Sequence, residues 1–275
     1  MAMTINTNLG ALQVTNALSQ NQAALQSSMQ KLATGSRINT AADDPAGLAI
    51  SQGLQSQIGG LNQASANVAD GISLIQTASG ALTQVSSILQ NIRNLAVQAG
   101  NDTQNANSRA DIQTEVTALA GQLTQIGNAT NFNGVSLLDG TANLTLQVGA
   151  NGTANDQVSA NLTSANVVAI GTAVAALTFS SAANAQASIN SLDTQIQTVS
   201  TAQANIGAVQ NVLQAQAQTL SVNSENLTAA NSQISDTNMA TEMANFTKNN
   251  VLVQAGTAML SQANQQSQLV LKLLQ

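Results

Sequence analysis

The 275-residue chain contains no cysteine, histidine, tryptophan or tyrosine, and three phenylalanines are its only aromatic residues. Without cysteine the chain can form neither a disulfide nor a thiolate metal site. Histidine is the commonest general base and metal ligand, so its absence weakens every enzymatic hypothesis. The core has to be built from Leu, Ile, Val, Met and Ala, which suits closely packed helices better than a broad globular interior.

Charged residues are also scarce. Six Lys or Arg residues stand against twelve Asp or Glu residues, which gives a net charge of -6. Because no basic cluster is present to hold a phosphate backbone, we expect no nucleic-acid binding. The chain has no run of about eighteen apolar residues, so we expect no transmembrane helix. The N-terminal sequence MAMTINTN lacks the basic patch and apolar core of a cleavable secretion signal. These signals alone predict a cytoplasmic protein.

Two stretches repeat apolar residues at every seventh position, which is the pattern of a coiled coil. The C-terminal stretch predicts a helix of about 45 residues, roughly 65 Å long, between Ile189 and Ile234. The strict period predicts a left-handed supercoil. We therefore expect a mainly α fold, a long antiparallel coiled-coil helical bundle with a small β-hairpin region and paired terminal helices. The two seams are Leu54, Leu61, Val68, Ile75, Leu82, Leu89 and Ala96, and then Leu192, Val199, Ile206, Leu213, Leu220, Leu227 and Ile234.

Three further helices are predicted from apolar residues at steps of three and four. The first is expected to end near Gly35, because glycine favours the left-handed conformation that terminates a helix. For the helix predicted at 105–127, either Asp102 or Asn105 could be the capping residue. The predicted ranges are 1–34, 105–127 and 239–275.

The connector Gly35–Gly47 contains Pro45, the only proline in the chain. Asp44 is placed to cap the next helix, residues 46–100, with Pro45 at its first position. An alternative interpretation makes Asp43 and Asp44 a divalent-metal or acid–base pair. Since no third ligand is in sight, capping is favoured.

Strand periodicity appears between the long helices. Leu144–Val148 and Val158–Leu162 alternate apolar and polar residues around a turn at Gly149–Gly152, which predicts a β-hairpin. The Thr-, Ala- and Gly-rich segment Val167–Phe179 is expected to be irregular chain or short extra strands.

Several ordered blocks at both ends of the chain resemble bacterial flagellin. The resemblance covers about residues 1–140 and 185–275, so it is highly specific. The blocks are LATGSRINTAADDPAGLAI at 32–50, DGISLIQT at 70–77, FNGVSLLDG at 132–140 and QAGTAMLSQANQ at 254–265.

The resemblance implies a flagellar filament subunit, in a short form without large outer domains. It implies an inner-tube domain made of residues 1–45 and 236–275, and a core domain of residues 46–235 with the hairpin at about 140–180. Family members are exported unfolded without a cleaved signal peptide, which is compatible with an extracellular location on the flagellum. The implied partners are further copies of the chain, an export chaperone, the filament cap and hook-associated proteins, with no cofactor, membrane or nucleic acid.

The terminal helices are thin, carry little charge and are rich in Gln and Asn. We hypothesise that the terminal segments order only when they pack on neighbouring subunits, because each buries too little apolar surface alone. Head-to-tail contacts that do not close then give a helical filament. The predicted self-assembly residues are Ile5, Leu9, Leu12, Leu18, Leu25, Met29, Leu32, Met243, Phe246, Val253, Leu260, Leu269 and Leu273.

Many flagellins present an Arg-rich stretch to Toll-like receptor 5, an innate immune receptor. That stretch corresponds to part of the helix predicted here at residues 46–100. Here Asn91 stands where an Arg is usual, while Arg93, Leu95 and Glu115 match the family. Losing a bidentate side chain at an interface centre is costly. The resemblance therefore implies weak receptor activation.

The nearest alternative is another flagellar protein, and the main alternative from a different class is an enzyme. A hook–filament junction protein, also called a hook-associated protein, shares terminal helices of this type. A coiled-coil secretion needle would not need the hairpin, and an amphipathic membrane-binding protein usually has a basic face. An enzyme is disfavoured because histidine, cysteine and an inserted domain are all missing.

Overall fold

The structure, a computed structural model, describes the backbone of residues 8–273 and the side chains of residues 8–266. Long helices dominate it, as the heptad patterns predict, so the mainly α fold class is confirmed. The helices are α1 (Leu9–Thr34), α2 (Pro45–Ala99), α3 (Ala106–Ala129), α4 (Val167–Ala175), α5 (Ala182–Ser235) and α6 (Met239–Leu273).

Two short antiparallel strand pairs lie between α3 and α4. The larger is the predicted hairpin, in which Thr145 is opposite Ser159. Its connection contains a 3-10 turn at Ala154–Asp156. The smaller pair closes over Asn133 and Gly134, both at positive φ. The strands are β1 (Asn131–Phe132), β2 (Val135–Ser136), β3 (Asn143–Gln147) and β4 (Gln157–Asn161).

The chain forms two compact units. The terminal unit comprises the described residues of Met1–Ser56 and Asn226–Gln275, and the central unit comprises Gln57–Glu225. Helices α2 and α5 contribute to both units.

In the terminal unit α1 packs antiparallel against α6. The side-chain amide of Asn8 donates to the carbonyl of Ala263 at 3.0 Å, and Leu18 lies against the backbone of Gly256. Helix α1 ends at Gly35, whose φ of 72° is left-handed and whose N–H donates to the Lys31 carbonyl. Both the pairing of the terminal helices and the end of the first helix are therefore confirmed.

The connector after α1 is hydrogen-bonded to the break between α5 and α6. The Arg37 N–H donates to the Ser235 carbonyl at 2.6 Å, and the Arg37 guanidinium donates to the Ile234 carbonyl at 2.7 Å. In the same unit the Thr237 N–H donates to the Gly35 carbonyl at 2.9 Å. These bonds satisfy carbonyls that the helix ends leave free.

The start of α2 follows the sequence prediction. Pro45 is its first residue, and the Asp44 carboxylate accepts from the Gly47 N–H at 2.9 Å. The Asp43 carboxylate instead accepts three hydrogen bonds, from the N–H groups of Asn39 and Thr40 and from the Thr40 hydroxyl. The bonds from Thr40 are the main reason that the pKa of Asp43 is lowered. Both carboxylates therefore organise the connector.

The hairpin is fixed to both long helices within the central unit. The Asn67 amide donates to the Gln147 carbonyl at 3.0 Å, and the Gln216 amide donates to the Val148 carbonyl at 3.2 Å. The hydrogen bonds tie the hairpin to α2 on one side and to α5 on the other.

The segment Val167–Phe179 differs from its prediction, because residues 167–175 form helix α4. The Asn166 side chain caps the helix by accepting from the Ala169 N–H at 2.8 Å. Phe179 is fully buried, and its N–H donates to the Gln113 side chain of α3. The residues that α4 buries are Val167, Ile170, Gly171 and Val174, at steps of three and four.

Candidate self-assembly surface

The predicted self-assembly residues divide into two sets in the structure. The first set lies in the seam between α1 and α6, where each side chain is half-buried. Its members repeat every seventh residue on both helices, as expected for two helices packed side by side. The seam residues are Leu18, Leu25 and Leu32 of α1, and Phe246, Val253 and Leu260 of α6.

The second set is left exposed by the α1–α6 pair. Leu9, Leu12, Met29 and Met243 were predicted from the sequence, whereas Met239, Val251, Leu252 and Met259 were not. Single exposed apolar side chains are ordinary, but eight of them along two paired helices are candidates for contacts with another molecule. We call them the outward apolar set: Leu9, Leu12 and Met29 of α1, and Met239, Met243, Val251, Leu252 and Met259 of α6.

Three predicted self-assembly residues cannot be placed in either set. Ile5 lies outside the described residues, and the side chains of Leu269 and Leu273 lie outside the described part of α6.

The α1–α6 pair has very little interior of its own. Ser28 is the only buried residue of α1, and in the described side chains of α6 none is buried. Two helices that leave their apolar side chains half-exposed gain little from packing, and helices depend mainly on packing for stability. The pair is therefore suited to further burial against another surface.

Most of the predicted coiled-coil residues of α2 and α5 are more deeply buried than the residues of the α1–α6 seam. Leu61, Val68, Ile75, Leu82 and Leu89 of α2 are buried in the central unit. On α5, Leu192, Val199, Ile206, Leu213 and Leu220 are buried too. Leu227, which lies in the terminal unit, is half-buried.

The residues of the candidate receptor surface are partly engaged within the chain. The Arg93 guanidinium contacts the Asp193 carboxylate of α5 with an Nε–Oδ1 distance of 2.6 Å, and both side chains are about half exposed. The hydrogen bond from Arg93 lowers the pKa of Asp193. Asn91 and Glu115 are exposed, and Leu95 is half-buried.

The described residues contain no group of three or more His, Cys, Asp or Glu side chains that could hold a metal ion. Within residues 8–273, none of the helices combines the length and the apolar character needed to cross a membrane.

Residues 5–143 match the family described as "Bacterial flagellin N-terminal helical region", and residues 189–274 match "Bacterial flagellin C-terminal helical region". The chain belongs to the bacterial flagellin family. A flagellin of Bacillus subtilis (strain 168) is 47% identical over 99% of this chain and 100% of the relative. The "Flagellar filament 33 kDa core protein" of Treponema phagedenis is 38% identical over 99% of this chain and 100% of its own length.

A solved structure shares the fold at lower identity. It is described as a putative flagellar hook-associated protein from Vibrio parahaemolyticus, with a TM-score of 0.57 and 18% identity over 70% of this chain and 100% of that chain. At this identity the likeness concerns the fold alone. Between the two matched family regions, residues 144–188 of this flagellin contain only the hairpin, α4 and the first two turns of α5, so the prediction of a short form without large outer domains is confirmed.

Proposed function

We propose that this flagellin is a structural subunit that polymerises into the bacterial flagellar filament, and that the outward apolar set forms contacts between subunits. The observation that carries the proposal is the α1–α6 pair, which leaves apolar side chains exposed along both helices in a chain with little charge. The full-length similarity to flagellins and to a filament core protein supports the same role. Because flagellins are structural proteins of the filament, we propose no enzymatic role.

The filament role is preferred to the hook-associated alternative. The relatives that are 38% and 47% identical are a filament core protein and a flagellin. The hook-associated structure is only 18% identical and therefore supports a common fold without a common function.

The location and the remaining partners follow from the filament role. A filament subunit works outside the cell, so we propose export without a cleaved signal peptide, with help from an export chaperone. Contacts with the filament cap and hook-associated proteins would then occur at the two ends of the polymer. The subunit is expected to be unfolded during export and to order its terminal segments, residues 1–45 and 236–275, as it joins the filament.

The test is negative-stain electron microscopy after salt-induced polymerisation. Full-length protein is compared with a chain trimmed to about residues 46–235, which keeps both heptad seams. We expect long uniform filaments from the full-length protein only. Filaments from the trimmed chain would show that the terminal helices are dispensable. If the full-length chain does not extend added flagellar seeds, the hook-associated alternative gains ground.

Weak activation of Toll-like receptor 5 is a second proposal, and it depends on Asn91. An amide there offers fewer donors than the usual guanidinium, and the neighbouring Arg93 is already paired with Asp193. Asn91→Arg is therefore expected to raise signalling by purified protein about tenfold or more, as for the restoration of an interface hot spot. The measurement is a reporter-cell dose response. Strong signalling that Asn91→Arg does not raise would contradict the proposal.

A further inference from the structure

Methionine is concentrated in the terminal unit. Of the six methionines in the chain, none falls within Gln57–Glu225, the central unit. The four with described side chains all belong to the outward apolar set, and their exposed fractions lie between 45% and 58%. They are Met29 of α1 and Met239, Met243 and Met259 of α6, while Met1 and Met3 lie outside the described residues.

These thioethers are the most readily oxidised side chains of the molecule, because it has no cysteine, histidine, tryptophan or tyrosine. Hydrogen peroxide transfers one oxygen atom to the sulfur of an exposed methionine. The peroxide O–O bond breaks and an S–O bond forms. The sulfur loses two electrons, and the peroxide is reduced to water.

We propose that the exposed methionines of the outward apolar set form a redox-sensitive modification site, at which oxidation by hydrogen peroxide before assembly prevents polymerisation. The inference rests on the proposed function of this surface. A thioether packs well in an irregular apolar contact. A sulfoxide is polar, and burying it without a hydrogen-bond partner is unfavourable.

The positions of the methionines separate the effect on assembly from any effect on folding. Because about half of each side chain is exposed, a sulfoxide at these positions remains solvated in the isolated chain. The buried residues of the central unit include no methionine. Oxidation should therefore leave the helical content unchanged while it weakens contacts between copies. The modification is reversible by methionine sulfoxide reductases, one for each epimer.

The experiment compares wild-type protein with the variant Met29→Leu/Met239→Leu/Met243→Leu/Met259→Leu. Leucine conserves volume and helix propensity at each position, and the variant retains Met1 and Met3. Each protein is treated with hydrogen peroxide, and peptide mass spectrometry measures the oxidation at every methionine. Circular dichroism measures the helical content, and sedimentation after addition of seeds measures the assembled fraction.

We expect oxidised wild type to retain its helical content and to show an about tenfold or greater fall in assembled protein. Treatment with both reductases should restore assembly, and the treated variant should assemble as it does untreated. In preformed filaments the four methionines should oxidise more slowly than in monomers.

Normal assembly of wild type that is fully oxidised at the four positions would overturn the inference and leave the proposed function intact. An equal loss in the treated variant would also overturn it, by placing the effect at another residue. If the leucine variant does not assemble even without peroxide, the test uses wild type alone. Restoration of its assembly by the reductases then supports the inference, and no restoration overturns it. Failure of untreated wild type to assemble would instead contradict the proposed function.

Discussion

At the scale of the residue, Thr237 has a side-chain hydroxyl that is buried in the described part of the chain. Its N–H donates to the Gly35 carbonyl, but its hydroxyl is the only buried side-chain oxygen or nitrogen atom there that lacks a hydrogen-bond partner. An unpaired buried hydroxyl costs about 1–3 kcal/mol. The residue lies where the chain passes from α5 to α6, so the cost falls on the attachment of the terminal helix.

Thr237→Val keeps the shape of the side chain and removes the unpaired hydroxyl. In the filament, where the terminal segments are proposed to be ordered, we expect the free energy of unfolding of each subunit to rise by about 1 kcal/mol. Thermal dissociation of filaments followed by circular dichroism measures the change, with the exposed Thr241→Val in α6 as the control. A Thr237→Val protein less stable than the control variant would mean that the hydroxyl has a partner in solution.

At the scale of the element, the heptad pattern predicts the long helices because each seam residue faces the interior once in every two turns. Leu213 is fully buried, whereas its neighbour Val212 is 50% exposed. The two residues therefore provide a matched comparison on one helix.

Leu213→Ala is expected to lower the free energy of unfolding by about 2–5 kcal/mol, because it removes buried methyl groups and leaves a cavity. Val212→Ala should change it by no more than about 0.5 kcal/mol. Urea unfolding of the two variants measures the difference. Similar losses in both would show that the heptad seam is not the core of the central unit.

Helix α4 depends on a close approach to α3. A Cβ added at Gly171 would lie 2.9 Å from the Thr124 backbone nitrogen and 3.1 Å from the Ala120 carbonyl oxygen, so the helix backbones would have to separate. At Gly121, on α3 itself, a Cβ would meet nothing within 4 Å. Gly171 therefore permits the close approach of α4 to α3, whereas a side chain at Gly121 would point into open space.

Gly171→Ala is expected to destabilise the full chain by about 1–3 kcal/mol through overpacking. Gly121→Ala should stabilise it by about 0.5–1 kcal/mol through helix propensity. Thermal unfolding of both variants tests the pair. A neutral Gly171→Ala would mean that α4 is not held tightly against α3.

The sequence-based predictions fail where secondary-structure preference and periodicity disagree. The segment Val167–Phe179 was predicted as irregular chain or short strands because Val, Thr and Gly disfavour helix. The spacing of its apolar residues at steps of three and four was the correct signal, since it is the period of helix α4. The β1–β2 pair was missed because each strand has only two residues, although Asn133–Gly134 is a strong hairpin signal.

The candidate site was predicted as one set of residues because both exposed and seam positions are apolar. The step of seven that joins Leu18, Leu25 and Leu32, and likewise Phe246, Val253 and Leu260, could have indicated the seam, although on α6 it also includes the exposed Met239. The exposure of Val251 and Leu252 could not be read from sequence, since it depends on which face of α6 meets α1.

At the scale of the whole molecule, a chain with a net charge of -6 and few charged residues can be repeated many times with little self-repulsion. The central unit buries its apolar seams within one chain. The α1–α6 pair of the terminal unit leaves its apolar side chains half-buried or exposed, and under the proposed function further copies of the chain would supply the missing contacts. If these contacts are head-to-tail, as hypothesised from the sequence, they extend without closing and give a filament.

The most direct test of this account is the assembly of full-length Leu12→Lys/Leu252→Lys, which places charges in the outward apolar set but leaves the α1–α6 seam intact. Val135→Lys in strand β2, also at an exposed position, is the control. Circular dichroism first establishes that helical content is unchanged, and seeded electron microscopy then measures filament length. We predict filaments from wild type and the control, and none from the double variant. Filaments of normal length from the double variant would contradict the assignment of this surface to self-assembly.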